Sequence, residues 1–513
     1  MDKLRQILRT LSEDERKEFT YFIQRQRRKK QRKDLDLLGF LMEEPELSGD
    51  DILKALYPGK PNRVAYHALR KRLMHQLTEF ILIKRMETDP STGSTIMGMI
   101  SMSHYLFSRQ LGKLGWSFIR KAEKLAEEHE HYDLLNSIYN VQIEHADQEA
   151  ADQLPLIIEK RNANKLLADE DERARIANSL INQKLTQVRL EGKDLNFHET
   201  IEEVLQEYDL SEAVHRRPRL LYNLVFITRS AALAGKDFYA FEPYIIGLYN
   251  RMTELDGFSK RHQGYKLRLL YMIAHVLYRN KKFQDSLSYL DTMEQEIEAF
   301  KKSHFTLHYP RFAMLKAGNL VFTGQASLAT ALLEDLLQNH RAALTAAQQF
   351  NLLFSLGFYY FLTKEYNKTV RCVIEMNHSD RWLEKKMGKE WIIRKILGEA
   401  ILQIQINNPD LAKQRIRTLE RQYKGLMARP EYKRVSVYLS FMKHLIQHPD
   451  AATRPGFYDE VRNSFNFLPM EQEDLQQVGF YAWLKSQMTG RDFYEVLLEL
   501  AQRKDEPYSV FPN

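Results

Sequence analysis

The stretch LGFYYFLTKEYNKTVRCV, Leu356 to Val373, decides the fold. Leu356–Gly357 and the aromatic run Tyr359–Tyr360–Phe361 read as the end of an amphipathic helix. A polar break follows at Thr363 to Glu365. Tyr366, Thr369 and Val373 then resume a spacing of about three to four residues, which marks one face of a second helix. Two antiparallel helices joined by a tight turn, with small residues where they touch, account for the pattern.

Working outward, the same scheme recurs. Ala317, Leu320, Ala326, Ala329, Leu333 and Leu336 stand at the internal offsets of Gly357, Tyr360, Tyr366, Thr369, Val373 and Met376. So do Ala274, Leu277, Phe283, Ser286, Leu290 and Met293. The anchors Ala274, Ala317 and Gly357 lie 43 and then 40 residues apart. Leu397–Gly398 restarts the scheme 41 residues later, with the loop Asn407-Asn408-Pro409 shifting its second helix. A small residue lets the two helices approach closely, and the large apolar residues fill the groove against the next hairpin. These residues resemble tetratricopeptide repeats with a period longer than the usual ~34. The resemblance implies a right-handed α-solenoid whose concave surface recognises another protein. Tyr359, Tyr360 and Phe361 are read as core, with a groove lining as the alternative.

Composition agrees with an all-α chain. At 513 residues it exceeds one ordinary core, and 44% hydrophobic with 28% charged residues is a globular balance. Only 21 Gly and 15 Pro leave too few turn residues for a β-rich protein of this length. Cys372 is the single cysteine, which excludes an internal disulfide and points to a reducing cytoplasm. The first residues lack the apolar core of a signal peptide, and no apolar run approaches the ~20 residues of a membrane span. No membrane association is expected.

The net charge of +7 is confined to one end: residues 1–86 hold 20 Lys and Arg against 13 Asp and Glu, a net of +7. Leu4, Ile7, Leu8 and Leu11 share a helix face, and Ser12 with Glu15 forms a capping box. The run RQRRKKQRK follows at 25–33, with Arg25, Arg27, Arg28, Lys29, Lys30, Arg32 and Lys33 basic. It reads either as a phosphate-contacting patch or as a solvated helix turn. Ser48 caps a short helix, a Pro- and Gly-containing turn spans 57–62, and a long helix begins at Arg63. Arg63, Arg70, Lys71 and Arg72 lie along or beside its polar face. The segment ILKALYPGKPNRVAYHALRKRLMHQL resembles the helix-turn-helix of bacterial winged-helix activators, with Tyr57 where those carry Trp and no β-wing following. The resemblance implies DNA contact through those cations. Thr88 to Thr95 reads as a linker.

No phosphate loop, dinucleotide fingerprint, nucleophile elbow or HExxH helix occurs. His304 with His308, and His444 with His448, are four apart but lack the Glu of a zinc protease. Cys372 reads as a buried thiol, and Glu127 to His131 as a polar helix end. No enzyme activity, cofactor or metal site is therefore expected. The expected organisation is a small basic helical domain at 1–86, a linker at 87–96, a repeat array at 97–503 and a tail at 504–513. The function expected is a cytoplasmic scaffold or adaptor binding a protein on the array. The alternative is a DNA-binding transcription regulator whose N-terminal domain takes nucleic acid and whose array senses or recruits a partner.

Overall fold

The computed structural model describes residues 3–11, 13–26, 33–43, 47–59, 61–88, 92–146, 153–191, 197–235, 238–255, 257–299, 305–341, 344–429, 432–465 and 474–502. The tail and the capping box at Ser12 lie outside them. Every regular element among the described residues is helical, and the fold is an all-α helical-repeat solenoid. Two compact units, Met1–Asp169 and Glu170–Asn513, divide the chain.

In the first unit, α1 (Lys3–Thr10), α2 (Glu13–Gln26), α3 (Lys33–Glu43), α4 (Gly49–Leu56) and α5 (Arg63–Thr88) enclose a core that includes Leu8, Phe19, Ile23, Leu37, Ile52 and Leu73. Ser48 accepts from the backbone N–H of Asp51 and Asp51 accepts from Ser48 in return, a complete capping box that starts α4. α6 (Thr92–Ser108), α7 (Gly112–Glu128) and α8 (Tyr132–Glu144) share a second core around Ile96, Trp116, Ile119 and Ile138. The expected linker carries helix at both ends, since α5 reaches Thr88 and α6 starts at Thr92. The unit division falls further on, inside α9 (Leu154–Glu191).

The second unit continues with α10 (Phe197–Glu207), α11 (Ser211–Arg216), α12 (Pro218–Gly235), α13 (Phe238–Glu254), α14 (Gln263–Arg279), α15 (Phe283–Ala299), α16 (Phe305–Phe322) and α17 (Ala326–Asn339). Next come α18 (Ala346–Leu362), α19 (Tyr366–Glu375), α20 (Asp380–Met387), α21 (Lys389–Gln405), α22 (Pro409–Gln422), α23 (Lys424–Met427) and α24 (Lys433–Gln447). α25 (Pro455–Ser464), α26 (Leu475–Thr489) and α27 (Phe493–Gln502) complete it. One apolar core runs from Ala174 to Ala501. Each fully buried Leu, Ile or Phe in it contributes about 1.5–3 kcal/mol by leaving water.

The hairpins α14–α15, α16–α17, α18–α19 and α21–α22 are built on one rule. A small buried residue on the first helix faces another twelve residues later on the second: Ala274 and Ser286, Ala317 and Ala329, Gly357 and Thr369, Ala400 and Ala412. Where the second residue bears a hydroxyl, it donates to the first residue's carbonyl. Ser286 Oγ lies 2.7 Å from Ala274 O and Thr369 Oγ1 3.2 Å from Gly357 O. The anchor of the fourth hairpin is thus Ala400 rather than Leu397–Gly398. Its second helix is in register, with Ile416 and Leu419 in the core. The loop Asn407-Asn408-Pro409 causes no shift.

The turns are equally uniform. The eighth residue after each anchor donates its N–H back to the carbonyl of the third: Lys282 to Leu277 (2.9 Å), Gln325 to Leu320 (2.8 Å), Glu365 to Tyr360 (2.8 Å) and Asn408 to Gln403 (2.8 Å). Between them Lys281, Gly324, Lys364 and Asn407 adopt positive φ of 61°, 85°, 64° and 57°. This closes the carbonyls left open at the helix end. In the first unit α6–α7 follows the same plan, with Ser103 and Gly115 at the small positions, Leu111 donating to Leu106 at 3.0 Å and Gln110 at φ 60°. Any side chain at Gly115 would start 2.7 Å from the Phe107 ring.

Candidate functional site

The described cations of α5 are not gathered into one face. Arg27, Arg28, Lys29, Lys30 and Arg32 lie outside the described residues. Arg25 is exposed in the last turn of α2, and Lys33 places its ammonium 3.7 Å from the centre of the Tyr57 ring. Tyr57 therefore holds a cation where the winged-helix resemblance would place Trp. On α5, Arg63 meets Asp50 at 3.5 Å and Arg70 donates to Tyr66 Oη at 3.2 Å. Arg63 and Arg70 share a side because seven residues make about two turns, whereas Arg72 projects from the opposite side and Lys71 between. The helix continues without interruption through 80–86, and no strand follows it among the described residues. The winged-helix resemblance gains no support.

Chemistry elsewhere is absorbed into packing. His444 and His448 lie 5.3 Å apart by ring centre, and His444 also stacks on Phe457. His308 is buried on α16, and its proposed partner His304 is outside the described residues. Burial pushes the Cys372 thiol up to about 12, helped by Glu375 and Glu334, so it stays protonated at neutral pH. Its Cβ lies 3.4 Å from where a methyl on Gly357 would stand, so the thiol is part of the close approach of α18 and α19.

The first helices of the hairpins form the remaining face. Neighbouring first helices pack on one another, Tyr278 on α14 against Gly318 and Phe322 on α16, and Phe354 on α18 against Trp391 on α21. At the C-terminal ends of α14, α16 and α18 this face is covered by the hairpin α26–α27. Arg279 meets Asp474 at 3.0 Å, Lys364 meets Asp492 at 2.8 Å, and Tyr494 Oη donates to Val321 O at 2.6 Å. Phe493 packs edge-on against Phe361 at 5.6 Å, and Gly479 lies under Phe358. Phe354, Phe358, Phe480 and Trp483 line an apolar cavity of about 220 Å³ beneath the hairpin. Tyr359 and Tyr360 are buried, and Tyr360 donates to Glu334. The aromatic run read as core is core.

Nearer the other end of the helices the face is cationic. Six residues before the anchors stand Arg268 on α14, Arg311 on α16, Asn351 on α18 and Arg394 on α21. Arg268 and Arg311 are exposed and Arg394 is half-buried; none of the three makes an ion pair among the described residues. Arg268 lies 5.4 Å over the Tyr222 ring, and Asn351 accepts from Trp391 Nε1 at 2.9 Å. Deeper in, Arg229 on α12 is half-buried, and its enclosed Nε has no hydrogen-bond partner among the described residues. Burial and the neighbouring Arg311 pull the Arg229 guanidinium below its usual range, against the Tyr271 and Tyr222 hydroxyls. Burial, Arg229 and Arg279 together pull His275 down to about 3, so its imidazole is neutral at physiological pH. Sequence density drew attention to 25–33; the sparse arginines of this row carried no local signal.

No family model matches the chain, nor does any curated protein. Among solved structures, the apo form of RapI is similar over 79% of this chain and 97% of its own, at 13% identity and a TM-score of 0.37. At that score the likeness carries no argument.

Proposed function

We propose that this protein is a non-enzymatic, cytoplasmic scaffold or adaptor that binds another protein on the first-helix face of its repeats. The observation that supports the reading is the division of labour within the hairpins. Packing positions are filled by Ala, Gly, Ser and Thr, while the same helices keep Phe226 at 49% exposure and Arg268 and Arg311 exposed. Stacked hairpins of this kind present an extended surface with no further design. The regulator alternative lacks a comparable observation, because the cations of α5 point to different sides.

The test is capture of partners from native extract by the immobilised full chain. A partner that binds saturably and is lost on Phe226→Asp, yet retained on Lys71→Ala with Arg72→Ala, supports the reading. Absence of any saturable partner, or loss only with the α5 variant, overturns it.

A further inference from the structure

The cavity beneath the C-terminal hairpin has aromatic walls on two sides, Phe354 and Phe358 from α18 and Phe480 and Trp483 from α26. At about 220 Å³ it is larger than the ~150 Å³ of an apolar cavity that takes up benzene. Empty space of that size forfeits the contacts its walls could make, and side chains ordinarily fill it. Here the sequence keeps it open. Gly398 lies inside α21 and Gly479 inside α26, and both line the cavity. A methyl at Gly398 would meet nothing closer than Phe354 at 3.9 Å, and one at Gly479 nothing closer than Phe358 at 3.9 Å. Glycine inside a helix is destabilising relative to alanine. Close packing demands it at Gly115 but not at these two positions, where what glycine preserves is room.

Polar groups surround the same space. Tyr278 and Tyr359 line it, and neither hydroxyl makes a hydrogen bond among the described residues. Burial raises both above the usual tyrosine range, so both stay protonated and can donate or accept. Trp483, only 1% exposed, has an enclosed Nε1 with no hydrogen-bond partner among the described residues. The charged members of the wall are Arg394, Lys395 and Glu399, of which the last two are paired with each other at 2.6 Å. Apolar walls with a few polar groups among them are the make-up of a small-molecule site.

We infer that this cavity binds a small neutral aromatic molecule of about two fused rings, carrying one hydroxyl or carbonyl that bonds to the Tyr359 hydroxyl. Its rings lie among Phe354, Phe358, Phe480 and Trp483, in the offset or edge-on arrangements that aromatic pairs prefer. The unpaired groups at the wall are neutral hydroxyls and an indole N–H, which bond a neutral ligand at no charge cost. A charged ligand would lose its hydration on entering apolar walls, so the neutral form is favoured. Because the walls come from α18 and α21 on one side and α26 on the other, the occupant ties the C-terminal hairpin to the repeats. Binding here does not require a protein partner on the first helices.

The experiment is equilibrium dialysis of the full chain against β-naphthol, naphthalene and β-naphthoate, three probes built on the same ring pair. β-Naphthol is expected to bind saturably at one site per chain, at least about tenfold more tightly than either of the others. Saturating β-naphthol should also raise the thermal midpoint of the wild type. Tyr359→Phe should remove the advantage of β-naphthol over naphthalene and leave naphthalene binding unchanged. Gly479→Leu fills the cavity and should weaken β-naphthol binding at least about tenfold, with a thermal midpoint no lower than that of the wild type. If that variant does not fold, G398A/G479A decides: it should be more stable than the wild type and bind β-naphthol more weakly. Absence of saturable β-naphthol binding, naphthalene or β-naphthoate binding as tightly as β-naphthol, or affinity unchanged in both Y359F and G398A/G479A overturns the inference.

Discussion

Replacing Lys395 by Met probes how the array tolerates buried charge. Lys395 on α21 lies 3.0 Å from Asp380 and 2.6 Å from Glu399, and Arg415 on α22 reaches the same two carboxylates, Asp380 at 3.0 Å. The four side chains are 7%, 15%, 9% and 20% exposed in the order Lys395, Asp380, Glu399, Arg415. Two positive and two negative charges thus close a neutral set between three helices. Taking one member away leaves a carboxylate in excess with little water to solvate it, which costs about 3–5 kcal/mol. Taking away Lys395 and Glu399 together, as K395M/E399L, leaves the Asp380–Arg415 pair neutral and replaces the other pair by apolar bulk. That change costs about 1 kcal/mol or less. The double variant is therefore expected to be more stable than the single one.

The assay is urea unfolding followed by tryptophan fluorescence, comparing midpoints at fixed slope because two compact units need not unfold together. A double variant at least as unstable as K395M would refute the reasoning. Acid supplies a second reading. Burial alone raises the Asp380 carboxyl, but Lys395 and Arg415 outweigh it and hold it below the ordinary range. A depressed folded value means the contribution is complete above the unfolded value of about 4 and is lost as pH falls through the folded one. Without Lys395 the loss should begin at higher pH.

Three further outcomes follow from the same geometry. Thr369→Val and Ser286→Ala each remove a hydroxyl donated across a hairpin, and each should lower the urea midpoint by an amount equivalent to about 1 kcal/mol; no change would mean the bridges are incidental. Cys372 should react with a disulfide reagent at pH 8 only as fast as the array opens, and immediate stoichiometric labelling would contradict the packing of α19 on α18. Arg229→Met removes an enclosed, unpartnered Nε while keeping the aliphatic stem, and should stabilise the chain by about 1 kcal/mol. Destabilisation by that amount would show that the guanidinium is held rather than stranded.

The repeat was legible from Ala274, Ala317 and Gly357 because close helix approach admits few residue types. The fourth anchor was misplaced for a related reason. Leu397–Gly398 imitates Leu356–Gly357, but register is set by the turn, and counting back from Asn407 gives Ala400. The turn itself was opaque, because the left-handed position is held by Lys281, Lys364 and Asn407, with glycine only at Gly324. A backbone hydrogen bond, not a residue type, fixes it. Gly115 is the converse case. Glycine weakens a helix on its own, yet Gly115 lies within one because Phe107 leaves no room for a side chain.

The same logic explains why the cationic row escaped a reading by charge. Summed over the sequence, 1–86 carries the whole net charge and the rest is about neutral. Neutrality over several hundred residues conceals sorting by layer. Acids sit on second helices such as α15, with Asp285, Asp291, Glu294 and Glu296, while four first helices have none. Arg268 and Arg311 are 43 residues apart, and Arg311 and Arg394 are 83. No window of sequence holds two of them. They align only once the anchors are Ala274, Ala317 and Ala400, and the displaced anchor at Leu397–Gly398 would have put Arg394 out of step. In a repeat protein, then, a charged face is assembled by register between distant helices, and Arg394 is the residue that ties the row to that register.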